Sequence, residues 1–227
     1  MGAAFYDVDG TLLSANVVHV YARYALSAPG LGERLGRISR LAASLPRFAL
    51  ADRRGRKYFN DLFYEEYKGL GEDRLHVLGE EIFEKLLRPR IFPEMVSLIE
   101  RSKRRGLKQI IVTGALDTVT RPLAEGLGID DWVANRLELR DHVATGALMP
   151  PVLAGPEKAR WIQGYAQREG LTLQDCYAYA DSASDIPMLC AVGHPTAVNP
   201  DRQLLATAEA HNWPVLWVGG RRHPSQR

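Results

Sequence analysis

Ala3-Ala4-Phe5-Tyr6-Asp7-Val8-Asp9-Gly10-Thr11-Leu12 stands at the start of the chain, and the fold turns on how it is read. Four apolar residues running into Asp-x-Asp-Gly-Thr read as a short buried strand and the loop leaving its end. Gln109-Ile110-Ile111-Val112, Trp132-Val133-Ala134 and residues 176–180 have the same strand character. Helical patterns at 94–105, 118–128, 157–168 and 186–192 separate them, and residues 137–148, with Gly146, look like a small hairpin. Thr196-Ala197-Val198 and residues 214–218 add two strand-like runs around a helix near 201–211. Strands alternating with helices predict an α/β protein with a Rossmann-like, mainly parallel sheet covered on both faces.

Between the first and second strands the pattern changes. From about Ser14 to Arg88 the periodicity is helical without convincing strands. Leu31, Leu35, Ile38, Leu41, Leu45 and Phe48 recur at three- and four-residue steps and predict one broad apolar helical face. Pro46 is expected to kink or split that helix. Further helical stretches are expected at 57–67 and 72–87, and Pro89 and Pro93 punctuate the end of the block. The predicted organisation is a core of residues 1–13 and 90–220, a helical insertion at 14–89, and a fraying basic tail at 221–227. The insertion carries a local basic stretch: Arg34, Arg37, Arg40, Arg47, Arg53, Arg54, Arg56 and Lys57 against Glu33 and Asp52. Arg34, Arg37, Arg40 and Arg47 are expected on one side of a helix whose other side is apolar. That side could steer a polyanionic substrate or touch an anionic membrane surface, or it could be a solvated face.

Composition excludes several classes. Of 227 residues 46% are hydrophobic and 25% charged, enough to build a core and too ordinary for a disordered or collagen-like chain. A formal net charge of +2 does not provide the dominant basic face that nucleic-acid binding requires. No apolar run approaches the roughly 18 residues of a membrane span. Residues 1–10 hold two Asp and no basic segment, which argues against a signal peptide, and Tyr6 stands where a myristoylation site needs Ser or Thr. Cys176 and Cys190 follow no metal spacing and are expected as buried small hydrophobes. The six histidines show no ligand spacing either. A cytoplasmic protein is the expectation; the oligomeric state is not legible.

In open parallel sheets ligands bind outside the carboxyl ends of the strands. Those positions hold Asp7, Asp9, Gly10 and Thr11 after the first strand and Thr113 and Gly114 after the second. Asp181, Ser182, Ser184 and Asp185 follow the strand at 176–180. Four carboxylates gathered at one sheet edge need raised pKa values or a cation, and oxygen-only donors favour Mg²⁺. Taken singly, Thr113 reads as a strand-end residue, Lys158 as a solvated helix residue, and Asp181 and Asp185 as a turn and a helix cap. Their joint placement is what points to a site.

Asp7-Val8-Asp9-Gly10-Thr11-Leu12 resembles the first motif of the haloacid dehalogenase superfamily, whose members are mostly phosphatases. Thr113 resembles the second motif, Lys158 the third, and Ala180-Asp181-Ser182-Ala183-Ser184-Asp185 the fourth, all in order. The long helical block resembles the cap of subfamily IB, which includes phosphoserine phosphatase. The resemblance implies Asp7 as a nucleophile forming an aspartyl-phosphate and Asp9 as the acid and base for leaving group and water. Gly10, Thr11, Thr113, Gly114 and Lys158 would then bind phosphate. Asp7, Asp9 (through its carbonyl), Asp181 and Asp185 would serve a Mg²⁺ ion. The implied substrate is a small phosphomonoester. Where phosphoserine-specific relatives carry an amine-pairing Glu nine residues after the nucleophile, this chain has Asn16. The alternatives are phosphoryl transfer through the same intermediate and a non-catalytic phosphate-binding module.

Overall fold

The computed structural model describes residues 2–28 and 30–221, the side chains of Asp52 and Arg53 apart. Six parallel strands form the central sheet: β1 (Ala3–Tyr6), β2 (Lys108–Leu116), β3 (Asp131–Asn135), β6 (Tyr177–Ala180), β7 (His194–Val198) and β8 (Val215–Leu216). Their order is β3-β2-β1-β6-β7-β8. A separate antiparallel hairpin is made by β4 (Leu137–Arg140) and β5 (Val143–Leu148).

Strand β1 lies between β2 and β6, with Tyr6 in register with Ile111 and Tyr179. All four of its residues are fully buried, as are Ile110, Ile111 and Val112 of β2. Burying each large aliphatic or aromatic side chain contributes about 1.5–3 kcal/mol, so this centre is the most strongly held part of the sheet. One face packs on helices α7 (Pro156–Glu169), α8 (Ile186–Cys190) and α9 (Arg202–Ala210) through Phe5, Ile110, Ile162, Met188 and Leu204. The opposite face carries Tyr6 and Ile111 into a second core shared with α5 (Pro93–Arg104), α6 (Asp117–Leu127) and the helices of the insertion. The sheet is therefore covered on both sides, as the alternating pattern predicts.

The segment between β1 and α5 is helical: α1 (Val17–Leu26), α2 (Leu31–Arg54), α3 (Arg56–Tyr64) and α4 (Glu72–Ile82), followed by a π turn at Phe83–Leu87. Tyr21, Tyr24, Phe63, Tyr64 and Tyr67 form an aromatic cluster at its centre. The chain enters and leaves this block side by side. Ser14 N–H donates to Arg90 O at 3.0 Å, and Phe92 N–H donates to Leu12 O at 3.0 Å.

Several expectations are corrected. Helix α2 runs unbroken through Pro46, which faces solvent, so water can satisfy the carbonyl left without its N–H partner. Only part of the apolar face predicted for α2 is buried: Leu41 and Phe48 are inside and Ile38 partly so, while Leu31, Leu35 and Leu45 are exposed. The arginines do not share a side. Arg34 donates to Ala28 O and Arg37 pairs with Glu33 at 3.0 Å on the inner flank, whereas Arg40 and Arg47 face water. Strand β2 extends past Val112, so Thr113 and Gly114 lie within it, where its register against β3 is interrupted. The hairpin expected at 137–148 is present, and its turn is made by Asp141 and His142, both at positive φ. Cys176 is buried, but Cys190 is exposed because the short α8 turns Met188 and Leu189 inward instead. The expected fraying of 222–227 lies outside the described residues; Arg221 lies inside them.

Candidate active site

The carboxyl ends of β1, β2 and β6 converge on a cavity of about 300 Å³. Asp7, Asp9 and Gly10 line it from the loop after β1, and Thr113 and Gly114 from β2. Asp181, Ser182, Ser184 and Asp185 come from the loop after β6, and Lys158 from the first turn of α7. Thr11 is fully buried beneath, its hydroxyl 3.5 Å from Asp7 Oδ2. Every residue expected at the site is thus in or against one cavity.

Asp7 leaves β1 still hydrogen-bonded to the sheet, its N–H donating to Tyr179 O at 3.0 Å. That bond fixes its direction at the end of the most buried strand. Lys158 Nζ lies 2.6 Å from Asp7 Oδ1 and 2.8 Å from Asp185 Oδ1, and all three side chains are buried. Burial alone would lower the Lys158 pKa, but Asp185 and Asp7 outweigh it and hold the ammonium charged. One cation stands among Asp7, Asp181 and Asp185, so negative charge remains in excess. Burial, then the charges of Asp7 and Asp185, drive the Asp181 pKa well above the ordinary range; burial also raises that of Asp185.

Asp7, Asp181 and Asp185 each offer a carboxylate oxygen, all within 4.8 Å of one another. This buried, all-oxygen set with surplus negative charge fits a hard divalent cation. Gly10 contributes to the fit. It holds φ at +80°, and a Cβ there would collide with the Asp181 carboxylate. Only glycine lets the loop approach that oxygen so closely.

The Asp9 carboxylate is not in this triplet. Its Oδ2 accepts a hydrogen bond from Val17 N–H at 3.1 Å, at the start of α1. Burial and then the Asp7 charge push its pKa to about 7. Two carboxylates two residues apart thus have different surroundings, one against an ammonium and one against a backbone amide.

Several residues at this site were not among those predicted from strand ends. Asn135, fully buried at the end of β3, donates from Nδ2 to Gly114 O and accepts from Leu153 N–H. Tyr64 of α3 donates to the same Gly114 O at 2.9 Å, tying the helical block to β2. Asp201 caps α9 and accepts from Ala183 N–H, bracing the loop that carries Asp181 and Asp185. Asn135 and Asp201 both follow or end strands, so the strand-end rule extended to every strand would have found them. Arg56, half-buried over the Phe59 ring, and Arg221 also line the cavity. Nothing local in the sequence distinguishes them from other basic residues. Asn16 lines the cavity too, but its Oδ1 accepts from Val18 and His19 N–H as the cap of α1.

Comparison with known proteins follows the same lines. The family described as haloacid dehalogenase-like hydrolase matches residues 4–190. The chain belongs to that family. It is 33% identical over 222 residues to the "inhibition of morphological differentiation protein" of Streptomyces azureus, covering 94% of this chain and 77% of that one. It is 31% identical over 219 residues to a phosphoserine phosphatase of Mycobacterium tuberculosis, covering 94% and 70%. The solved structure of a phospho-aspartyl intermediate analogue of phosphoserine phosphatase superposes with a TM-score of 0.71 at 21% identity, covering 99% and 95%. The haloacid dehalogenase fold read from the four motifs is therefore the fold of this enzyme, and its class is that of the family's phosphatases. No helix among the described residues is long and apolar enough to cross a membrane.

Proposed function

We propose that this enzyme hydrolyses small organic phosphomonoesters with the help of a divalent cation, through an aspartyl-phosphate on Asp7. One observation carries the reading: Lys158 bridges Asp7 and Asp185 beside Asp181, while Asp9 is turned away and held by Val17 N–H. A nucleophile and a proton donor are separated within a single loop.

Asp7 attacks phosphorus and the ester P–O bond breaks. Asp9, whose pKa near 7 keeps a substantial protonated fraction at neutral pH, gives its proton to the departing alkoxide. The Asp9 carboxylate then takes a proton from water, the water oxygen attacks phosphorus, and the P–O bond to Asp7 breaks. Thr113, Lys158 and the backbone of Gly10, Thr11 and Gly114 are the proposed phosphate contacts. Mg²⁺ held by Asp7, Asp181, Asp185 and the Asp9 carbonyl would neutralise phosphate oxygens against the approaching carboxylate. We take residues 14–89 as a cap over this core of 1–13 and 90–220. Arg56 and Arg221 bring positive charge to the cavity, and the Asn16 oxygen is spent on a helix cap. These features favour an ester with a second anionic group over one recognised by its amine.

Phosphate release from a panel of phosphomonoesters tests this reading. Turnover is expected with Mg²⁺ and not after chelation, with no added acceptor. Anionic esters should outrank aminoalkyl phosphates. Release of phosphate only when an alcohol acceptor is supplied would favour transfer, and no turnover of any ester, including an aryl phosphate, would remove the hydrolase.

A further inference from the structure

Helix α2 divides into three faces, and two of them face water. At 100° per residue, Leu31, Leu35, Ile38, Ala42, Leu45 and Ala49 fall within an arc of about 80°. Leu41, Ser44, Phe48 and Ala51 form a separate buried face. Leu31 is 76% exposed, Leu35 71% and Leu45 48%, while Ile38 is the one large member partly covered. The ridge from Leu31 to Ala49 runs about 27 Å at 1.5 Å per residue. Arg40, Arg47 and Arg54 recur every seven residues, share an arc of about 40°, and are all exposed. Leu50, 54% exposed, lies between the two stripes.

This exposure is concentrated. Ten large hydrophobic side chains are exposed among the described residues, and six of them, Leu26, Leu31, Leu35, Leu45, Leu50 and Tyr58, lie within residues 26–58. Singly scattered apolar residues need no explanation, but a contiguous patch marks an interaction surface. The charge beside the patch is one-sided. Among the described side chains of α2, Glu33 is the only acid, and it is paired with Arg37 at 3.0 Å.

We propose that the exposed face of α2 docks the enzyme on an anionic lipid bilayer. The helix would lie in the plane of the surface with its leucines below the headgroups. Arg40, Arg47 and Arg54 would bend their long stems outward to lipid phosphates. An anionic bilayer is favoured over a second copy of the chain by charge: the exposed arginines of α2 have one sign, and the one acid among its described side chains is already paired with Arg37. The docking stands on exposure and charge, whatever ester the cavity takes.

Co-sedimentation with vesicles at low salt tests the proposal, using phosphatidylcholine alone and phosphatidylcholine with phosphatidylglycerol. The wild-type enzyme should sediment with the second and not the first. Leu31→Gln/Leu35→Gln/Leu45→Gln and Arg40→Gln/Arg47→Gln/Arg54→Gln should each lower partitioning at least about tenfold. Melting temperature and hydrolysis of a soluble aryl phosphate should be unchanged in both, which separates lost docking from lost fold. Absence of wild-type binding would overturn the proposal, as would equal binding by the arginine variant. So would a wild-type dimer in sedimentation velocity that the leucine variant converts to monomer.

Discussion

Asp7 and Asp9 are chemically identical side chains two positions apart, and the difference in their surroundings is what suits them to the two tasks proposed for them. Asp7 faces the Lys158 ammonium at 2.6 Å, while burial and the Asp7 charge push the Asp9 pKa up to about 7. Because the Asp9 pKa is raised, its donor form is present below that value and is lost as pH rises through it. The pH profile of kcat/KM should therefore fall on the alkaline side near 7, and Asp9→Asn should lower turnover on an alkyl ester by about 10²–10⁴-fold while removing that limb. An unaltered limb in the variant would assign the titration elsewhere. At Gly10, alanine would press its Cβ into the Asp181 carboxylate at a φ of +80°. Gly10→Ala should raise the Mg²⁺ concentration needed for half-maximal activity at least about tenfold with the fold retained, since ligand placement sets metal affinity. Equal Mg²⁺ titrations of variant and wild type would show that this close approach is dispensable. At this scale the sequence was most legible for Asp7, Gly10, Lys158 and Asp181. A strand end fixes where a side chain emerges, and family-like spacing says which types meet. Arg56 and Arg221 were not legible, because their place at the cavity depends on how a helix and the C-terminal segment pack.

At the scale of elements, periodicity identified nearly every helix and strand but not which face each would bury. The leucines of α2 recur at helical spacing, yet only the side carrying Leu41 and Phe48 meets α1 and α3. A single helix pattern cannot tell two apolar stripes from one broad one. The β4–β5 hairpin shows a related limit. Its strands were legible, but not that Ala144 would exchange backbone hydrogen bonds with Gly69 and Leu70 of the helical block. At that contact His142 Nδ1 lies 2.7 Å from Glu72 Oε2, and the hydrogen bond, then the charge, of Glu72 raises the His142 pKa above its ordinary 6.5. The sign follows from the proton being favoured in the fold. The contact is fully made below the ordinary imidazole value and is lost as pH rises through the raised one. NMR titration should place His142 above 6.5 in the wild type and return it towards that value in Glu72→Gln. Titration at the same pH in both would break the assignment of the shift to Glu72.

At the scale of the whole molecule, the sheet order explains why residues from positions 7, 113, 158 and 181 meet. Chain connections depart from β1 towards β2 on one side and return through β6 on the other, leaving a crevice at the carboxyl end of the central strand. The helical block enters where the chain leaves that crevice, and Tyr64 reaches back from it to Gly114 O. The proposed catalytic groups are thereby held by the sheet and the loops that leave it, while the helical block supplies Arg56 to the cavity. In the proposed mechanism phosphate passes through Asp7. Acid quenching during turnover of a good phosphomonoester, followed by peptide mass spectrometry, measures this most directly. A phosphoryl adduct is expected on Asp7, labile to hydroxylamine, accumulating in Asp9→Asn where loss of the base slows its hydrolysis, and absent from Asp7→Asn. Undiminished Mg²⁺-dependent phosphate release by Asp7→Asn, with no adduct on Asp7 in either other protein, would contradict the mechanism.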